Sequence, residues 1–298
     1  MLELIESIGT LRDRLAEMSR AAENSPAAEM SPAAPKHEVR RRALVPTMGA
    51  LHAGHAALID AARRDGGVVI VSIFVNPLQF NNKDDLARYP RTLAADAAFC
   101  REHGVDIVFA PSAAEVYPRA LECTVDVGRL ADHLCGPFRP GHFQGVATVV
   151  LKLFNMVQPH RAYFGEKDAQ QLAIVERLVA DFNLPITIVG VPTVREADGL
   201  AMSSRNRHLS VDERRMAVCL YRSLLEARQR ISSGEKRSAA VVRAASATIP
   251  RSDGLKLEYL EIVDPNTMQP VDEINGPVRV AGALWVGSTR LIDNLLVS

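Results

Sequence analysis

The sequence predicts an α/β fold: a Rossmann-like, doubly wound parallel sheet in an N-terminal domain, followed by a smaller α+β domain. Three observations carry this. From residue 42 to 192, short apolar runs alternate with segments of helical periodicity, the signature of a parallel sheet covered on both faces. After Pro192 the rhythm changes to two long helical patterns followed by strands, so helices and strands are segregated. Glycine-rich and polar motifs also recur where predicted strands end, the place where open α/β sheets bind ligands.

The elements follow in order. Leu11, Leu15 and Met18 share one face of a helix over 8–18. Residues 21–35 are rich in Ala, Pro, Ser and Glu and read as part of a flexible surface insertion, 21–37. Ala43-Leu44-Val45 is a strand, 55–64 a helix, and Val68 to Val75 a β-branched strand buried on both faces. A helix over 93–103 stops at Gly104, and 106–110 is the next strand. Val146, Val149, Val150, Leu153 and Phe154 define a helix over 145–157. A short strand at 162–164, a helix to about Asp181 and a strand at 186–191 complete the first domain, 1–192. The second, 193–298, carries one long helix over 211–232, another over 237–248 and an alternating strand at 256–263. Val278 to Val286 supplies one or two more strands, with Gly282 marking a turn or bulge.

Composition narrows the function classes. At 298 residues, 47% hydrophobic and 23% charged, the chain has ordinary globular composition. Its 35 basic and 35 acidic side chains balance, which disfavours nucleic acid or an anionic membrane as partner. No apolar run is long enough to span a bilayer, and the acidic start, Met1-Leu-Glu-Leu-Ile-Glu, is not a signal peptide. Four widely spaced cysteines without a Cys-x-x-Cys pair read as reduced thiols of a cytoplasmic protein.

Four stretches carry chemistry. Pro46-Thr-Met-Gly-Ala-Leu-His52-Ala-Gly-His55 lies at a strand-to-helix turn, where N–H groups and the helix dipole favour an anion. Its histidines either donate to phosphate oxygens or cap the helix. Asn76 and Gln79, at the end of the strongest strand, either orient a small substrate or satisfy loop backbone. Gly165-Glu166-Lys167-Asp168, with Gln171 one helical turn on, offers close backbone approach, a cation for phosphate and a carboxylate for ribose or a hydrated Mg²⁺. The alternative there is acidic capping of a helix start. Met202-Ser203-Ser204-Arg205 lies past the domain boundary, placed to close over a triphosphate.

Together with Tyr89-Pro-Arg-Thr92, Arg139-Pro-Gly-His-Phe143, Val189-Gly-Val-Pro192 and Asp198 through Asn206, these stretches closely resemble the pantothenate synthetases (pantoate–β-alanine ligases), of the His-x-Gly-His nucleotidyltransferase-like superfamily. The resemblance runs from about residue 41 to the C-terminus, including Arg290-Leu-Ile-Asp-Asn294. It implies ATP-dependent condensation of pantoate with β-alanine through a pantoyl adenylate, with AMP and pyrophosphate released, by a cytoplasmic homodimer. It implies an ATP site of Met48, Gly49, Ala50, Leu51, His52, Ala53, Gly54 and His55, continued by Gly165, Glu166, Lys167 and Asp168. Val194 and Met202 would line the nucleotide pocket. Ser203, Ser204 and Arg205 would act like the Lys-Met-Ser-Lys-Ser loop of class I aminoacyl-tRNA synthetases. Pro46, Thr47, Met48, Gln79 and Gln171 would hold pantoate, with Gln79 also reaching β-alanine. His55 is implied as the acid beside His52, Lys167 as the cation on leaving pyrophosphate, and Mg²⁺ is expected mainly on ATP phosphates. Tyr89, Arg139 and His142 are further candidates.

Two departures from the family pattern stand out: the extension at 21–37, and Ala169 in place of the aromatic that usually follows the Lys-Asp pair. Two rival readings remain open from the residues alone. A nucleotidyltransferase would share the His-x-Gly-His turn but leave residues 74–80 and the Ser-Ser-Arg loop unexplained. A catalytically dead binding module would not need His52, His55, Lys167 and Arg205 together.

Overall fold

The computed structural model describes residues 2–23 and 41–298. In chain order, β1 (Glu3–Ile5) and α1 (Ile8–Glu23) precede β2 (Arg42–Thr47), α2 (Ala53–Arg64), β3 (Val68–Ile73), α3 (Lys83–Arg88), α4 (Leu93–Glu102), β4 (Ile107–Phe109) and α5 (Ala113–Val116). Next come α6 (His142–Val157), β5 (Arg161–Gly165), α7 (Ala169–Asp181) and β6 (Thr187–Val191). The last third contains α8 (Val211–Ala217), α9 (Cys219–Ser232), α10 (Ser238–Ser246), β7 (Leu255–Val263), β8 (Val278–Val286) and β9 (Thr289–Val297).

The first six strands form one sheet in the order β1-β4-β3-β2-β5-β6, and every pairing in it is parallel. Strand alternation divides the core. Leu44 and Ile70 face a cluster shared with α1, α6 and α7, through residues such as Leu11, Leu153 and Val175. Their neighbours Val45, Val69 and Val71 face the opposite layer, with Ile59 of α2 and Cys100 of α4. Burial on both faces accounts for the apolar run of β3, interrupted only by Ser72. The order turns back between β2 and β5, so the loops after these two strands diverge and leave a crevice at their carboxyl ends. Among the described residues, no helix is long and apolar enough to cross a membrane.

The second sheet is antiparallel, β7-β8-β9, and carries α9 and α10 on one face. Gly282 marks neither a turn nor an interruption: β8 is one continuous strand, and Gly282 pairs with Leu260 and Asp293. The glycine is there because α9 packs close; a Cβ would lie 2.9 Å from Leu220 Cδ1. The irregularity falls instead on β7, between Leu257 and Tyr259, where Glu258 turns to meet Trp285 and Arg290.

Other boundaries also move. The pattern over 211–232 is two helices meeting at Val218, because α8 is drawn by Arg214 to Glu196 and Asp198 while α9 lies against β8 and β9. Helix α6 starts at His142, three residues earlier than the apolar pattern shows, because Gly141 takes a left-handed conformation (φ 75°) and turns the chain into it. Of the insertion expected at 21–37, residues 21–23 finish α1, and the remainder lies outside the described residues. The strands β1 and β9 and the short α3 and α5 escaped the sequence reading.

One close approach ties the fold to the crevice. Gly145 of α6 lies against the 3-10 turn Pro77–Gln79, where a Cβ would sit 2.4 Å from the Leu78 carbonyl oxygen. Gly145→Ala should therefore lower stability by about 1–3 kcal/mol through overpacking. The urea midpoint reports this at unchanged slope; an unchanged midpoint would show that the turn yields freely.

Candidate active site

The loop leaving β2 is held by a buried carboxylate. Asp96 of α4 is 3% exposed. Its oxygens accept from Ala50 N–H at 3.1 Å, Leu51 N–H at 2.9 Å and the Thr92 hydroxyl at 3.0 Å. Gly49 and Ala50 both have positive φ, 82° and 52°. The Gly49 N–H donates to Thr47 Oγ1, which donates in turn to the Ser72 carbonyl of β3. These N–H groups are therefore engaged by the protein.

This bend delivers His52 as the N-cap of α2, in extended conformation (φ −150°, ψ 177°). The two imidazoles close a reciprocal cap. His52 Nδ1 accepts from Gly54 N–H at 3.1 Å, and His55 Nδ1 accepts from His52 N–H at 3.2 Å. Capping and a role in the cleft are compatible, since each ring caps through Nδ1 only. A nitrogen that accepts is unprotonated, so each neutral ring carries its proton on Nε2. Burial holds His52 down at about 4, helped by Lys167 and Arg207, and holds His55 at about 3, helped by His52. The rings lie 4.2 Å apart between centroids. The pair is thus two neutral donors at the head of a helix.

Gln79 is oriented from behind. Its Oε1 accepts from Asn76 Nδ2 at 3.0 Å, and its Nε2 meets only Met48 Sδ, a weak acceptor, at 3.1 Å. Asn76 is the loop amide of the pair: it also donates to the Gly145 carbonyl and accepts from the Tyr117 hydroxyl. His142 joins the same network. Its Nδ1 lies 2.9 Å from the Gln79 carbonyl, which can only accept, so Nδ1 carries the proton and Nε2 accepts from Arg139 at 3.1 Å. Burial and the Arg139 charge hold His142 at about 4, and burial brings Arg139 down to about 10.

Past β5 the chain makes a 3-10 turn, Glu166–Asp168, before α7. Asp168 makes no side-chain cap, so the acidic-cap alternative does not hold for it. Burial pushes its carboxyl up, but Lys167, Arg205, His142 and Arg139 together hold it below the ordinary carboxylate value. Lys167 Nζ lies 3.7 Å from Asp168 Oδ2. Gln170 is structural, gripping the Leu130 and His133 carbonyls and the Cys135 N–H. Gln171 reaches the crevice.

These parts meet in one cleft of about 250 Å³. Pro46, Thr47, Met48, His52, Gly54 and His55 line one side, with Gln79 beside them. Gly165, Lys167, Asp168 and Gln171 line it as well, as do Val194, Met202, Ser203, Ser204 and Arg205, with Met202 close to Gly54. Tyr89, Arg139 and His142 also line it. Gly49, Ala50, Leu51 and Ala53 do not; the first three shape the loop. Glu166 turns away as well, toward Gly190 of β6 and the charge of Arg279. Lys167, Arg139 and Arg205 share the cleft with one carboxylate among the described residues, Asp168, and Phe74, Val146, Val149 and Val150 give it an apolar lining. Sequence reasoning placed Phe74 in a motif but missed Val146, Val149 and Val150 as part of the site, since their periodicity marks only a core helix. It also missed Asp96, whose sole signal is an acid on the buried side of α4.

A cationic cleft with neutral imidazole donors, a free amide and an apolar lining suits a polyphosphate beside a small, partly apolar carboxylate. Comparison with known proteins agrees. The family model for pantoate-β-alanine ligase matches residues 20–296. Pantothenate synthetase 1 of Bradyrhizobium diazoefficiens is 54% identical over 260 residues, which is 87% of this chain and 91% of that protein. The structure of pantothenate synthetase from Thermus thermophilus superposes with a TM-score of 0.87 at 43% identity, covering 98% of each chain. A pantoate-β-alanine ligase from Francisella tularensis, complexed with β,γ-ATP and β-alanine, gives a TM-score of 0.76 at 32% identity, covering 99% of this chain and 98% of that one. The chain belongs to the pantoate–β-alanine ligase family.

Proposed function

We propose that the cleft condenses pantoate with β-alanine at the expense of ATP, through a pantoyl adenylate, with release of pyrophosphate and AMP. The observation that carries this reading is Gln79. Its oxygen is occupied by Asn76, and its amide N–H₂ has only a thioether for company. A buried donor of this kind suits a carboxylate or hydroxyl oxygen, and Phe74, Val146 and Val149 nearby suit the gem-dimethyl carbon of pantoate.

The steps follow from charge. A carboxylate oxygen of pantoate bonds to the α-phosphorus as the bond to the pyrophosphate oxygen breaks. The residues hold these groups in line and neutralise the charge that leaves. His52 and His55 act through Nε2–H as donors to phosphate oxygens, and the ATP charge raises both pKa values from their values in the free cleft. Lys167 compensates the departing pyrophosphate, while Ser203, Ser204 and Arg205 take the β- and γ-phosphates. The amine of β-alanine then attacks the acyl carbon and AMP leaves; Gln79, with Gln171, keeps the pantoyl group in place. Mg²⁺ would ride on the ATP phosphates and offset their charge. Asp168, the one carboxylate lining the cleft, would meet it through a coordinated water.

The same reading places the boundary between an N-terminal, substrate-binding domain and a C-terminal domain at residues 192 and 193, just after β6. It takes the working protein to be a cytoplasmic homodimer without nucleic-acid or membrane partners, with the four free cysteines in keeping with that compartment.

Incubation with pantoate, β-alanine and Mg·ATP should give pantothenate, AMP and pyrophosphate in equal amounts. With pantoate alone, the enzyme should exchange labelled pyrophosphate into ATP. Pyrophosphate without pantothenate would point to another acceptor amine, and no turnover to a binding module. His55→Ala should cut the exchange rate by about 10²–10³ while circular dichroism stays native; near-normal exchange would remove His55 from the reaction.

Acid should destabilise the free protein through His52, His55 and His142. Folded, they titrate at about 4, 3 and 4; unfolded, at about 6.5. Between these values the unfolded chain binds more protons, so stability is complete above about 6.5 and falls as pH drops toward 4. Urea midpoints at pH 7, 6 and 5 measure this. A flat profile over that range would mean that the imidazoles titrate in the folded protein as they do in the unfolded chain.

A further inference from the structure

Asn294, in the Arg290–Asn294 stretch near the end of the sequence, bonds to the backbone of the turn that carries Lys167. Asp293 and Asn294 lie in mid β9, paired with Gly282 and Ala281 of β8, and both are buried, at 5% and 6% exposure. Successive strand residues point to opposite faces, and here the two side chains bond to different segments, Asn294 to the Lys167 turn and Asp293 to Arg195.

Asn294 Nδ2 donates to the carbonyl oxygens of both Glu166 and Lys167, at 2.9 Å each. Its Oδ1 is held by Arg279 Nη1 from β8. That bond settles which end of the amide faces the turn, because a guanidinium only donates. Arg279 is itself buried, with Nε lacking a partner. A buried cation held on one amide oxygen shows where that oxygen must point.

Asp293 anchors a different segment. It takes Arg195 in a bidentate pair at 2.6 and 2.9 Å. Arg195 Nη1 also donates to the Gly199 carbonyl, and its guanidinium stacks on Tyr221, 4.0 Å from the ring centroid. Residues 194–202 form a hairpin through Glu196 N–H to Leu200 O and Met202 N–H to Val194 O, and Ser203 to Arg205 follow directly.

We propose that Asn294 is a positioning residue for Lys167. By gripping two consecutive carbonyls of the turn, it fixes where the ammonium meets leaving pyrophosphate, without touching substrate. The inference rests on the reaction proposed above. It predicts that losing the two N–H donors damages adenylate formation more than the attack by β-alanine, which has no pyrophosphate to release.

Asn294→Asp keeps the shape and the Arg279 contact but turns an oxygen toward the two carbonyls. Pantoate-dependent pyrophosphate exchange should fall at least tenfold in kcat. Conversion of supplied pantoyl adenylate and β-alanine to pantothenate should change less than twofold. Equal losses in both half-reactions, or no loss in either, would overturn the proposal and leave Asn294 a packing residue. Should Asn294→Asp fail to fold, Asn294→Ser, which is too short to reach both carbonyls, should give the same split. Wild-type enzyme without exchange would overturn the proposed reaction itself, and is read separately.

Discussion

The site depends first on the Asp96 carboxylate. Without it, the chain between β2 and α2 would have to hold Gly49 and Ala50 in left-handed conformations unaided. For alanine that costs about 1–2 kcal/mol. Two hydrogen bonds from this chain to a buried carboxylate, each worth roughly 1.5–3 kcal/mol, offset the cost. The geometry is tight: a Cβ at Gly49 would come 2.9 Å from Asp96 Oδ2, so glycine and carboxylate specify one another. Everything downstream inherits this bend. It brings His52 to the N-cap, and the N-cap orients His55 through the backbone N–H. An anion-binding turn is commonly read as a cradle of open N–H groups. Here most of those groups are engaged internally, and each imidazole keeps the Nε2 edge that the cap does not use.

The sequence was most legible where one physical signal dominated. Burial of β3 on both faces produces a β-branched run interrupted only by Ser72, and β2 and β5 sit beside motifs whose glycines and charges have few other uses. It was least legible where tertiary contacts override local pattern. Gly282 reads as a breaker because glycine usually is one, yet Leu220 of α9 is the reason for it. Three-residue β1 is too short to show a period, and its pairing with β4 appears only in three dimensions. The continuity of 211–232 conceals a break because helical periodicity persists on both sides of Val218.

At the site, the motif residues were visible and their supports were not. Gln79 could be singled out as an amide at a strand end; that Asn76 would take its oxygen and leave its nitrogen free could not. Glu166 and Lys167 are adjacent in one motif, but the turn sends the lysine into the cleft and the acid toward Arg279. Periodicity does not resolve such a turn, since three residues in a 3-10 arrangement point in three directions.

The sequence pictured the Ser203–Arg205 segment as a loop free to close over a nucleotide. Its anchorage argues for a different mechanical unit. The hairpin before it is tied by Arg195 to Asp293, a carboxylate that burial pushes up and Arg195 draws down. Moving the segment alone would strip that buried carboxylate of its partner, which costs several kcal/mol. Rearrangement that spares the pair must carry β9 along, and β9 also holds the Lys167 turn through Asn294. The Lys167 turn and the hairpin that leads to Ser203–Arg205 are therefore mechanically linked through two adjacent residues. A ligand that met both would find donors whose spacing the protein has already set, so less of its binding energy would go to ordering the site.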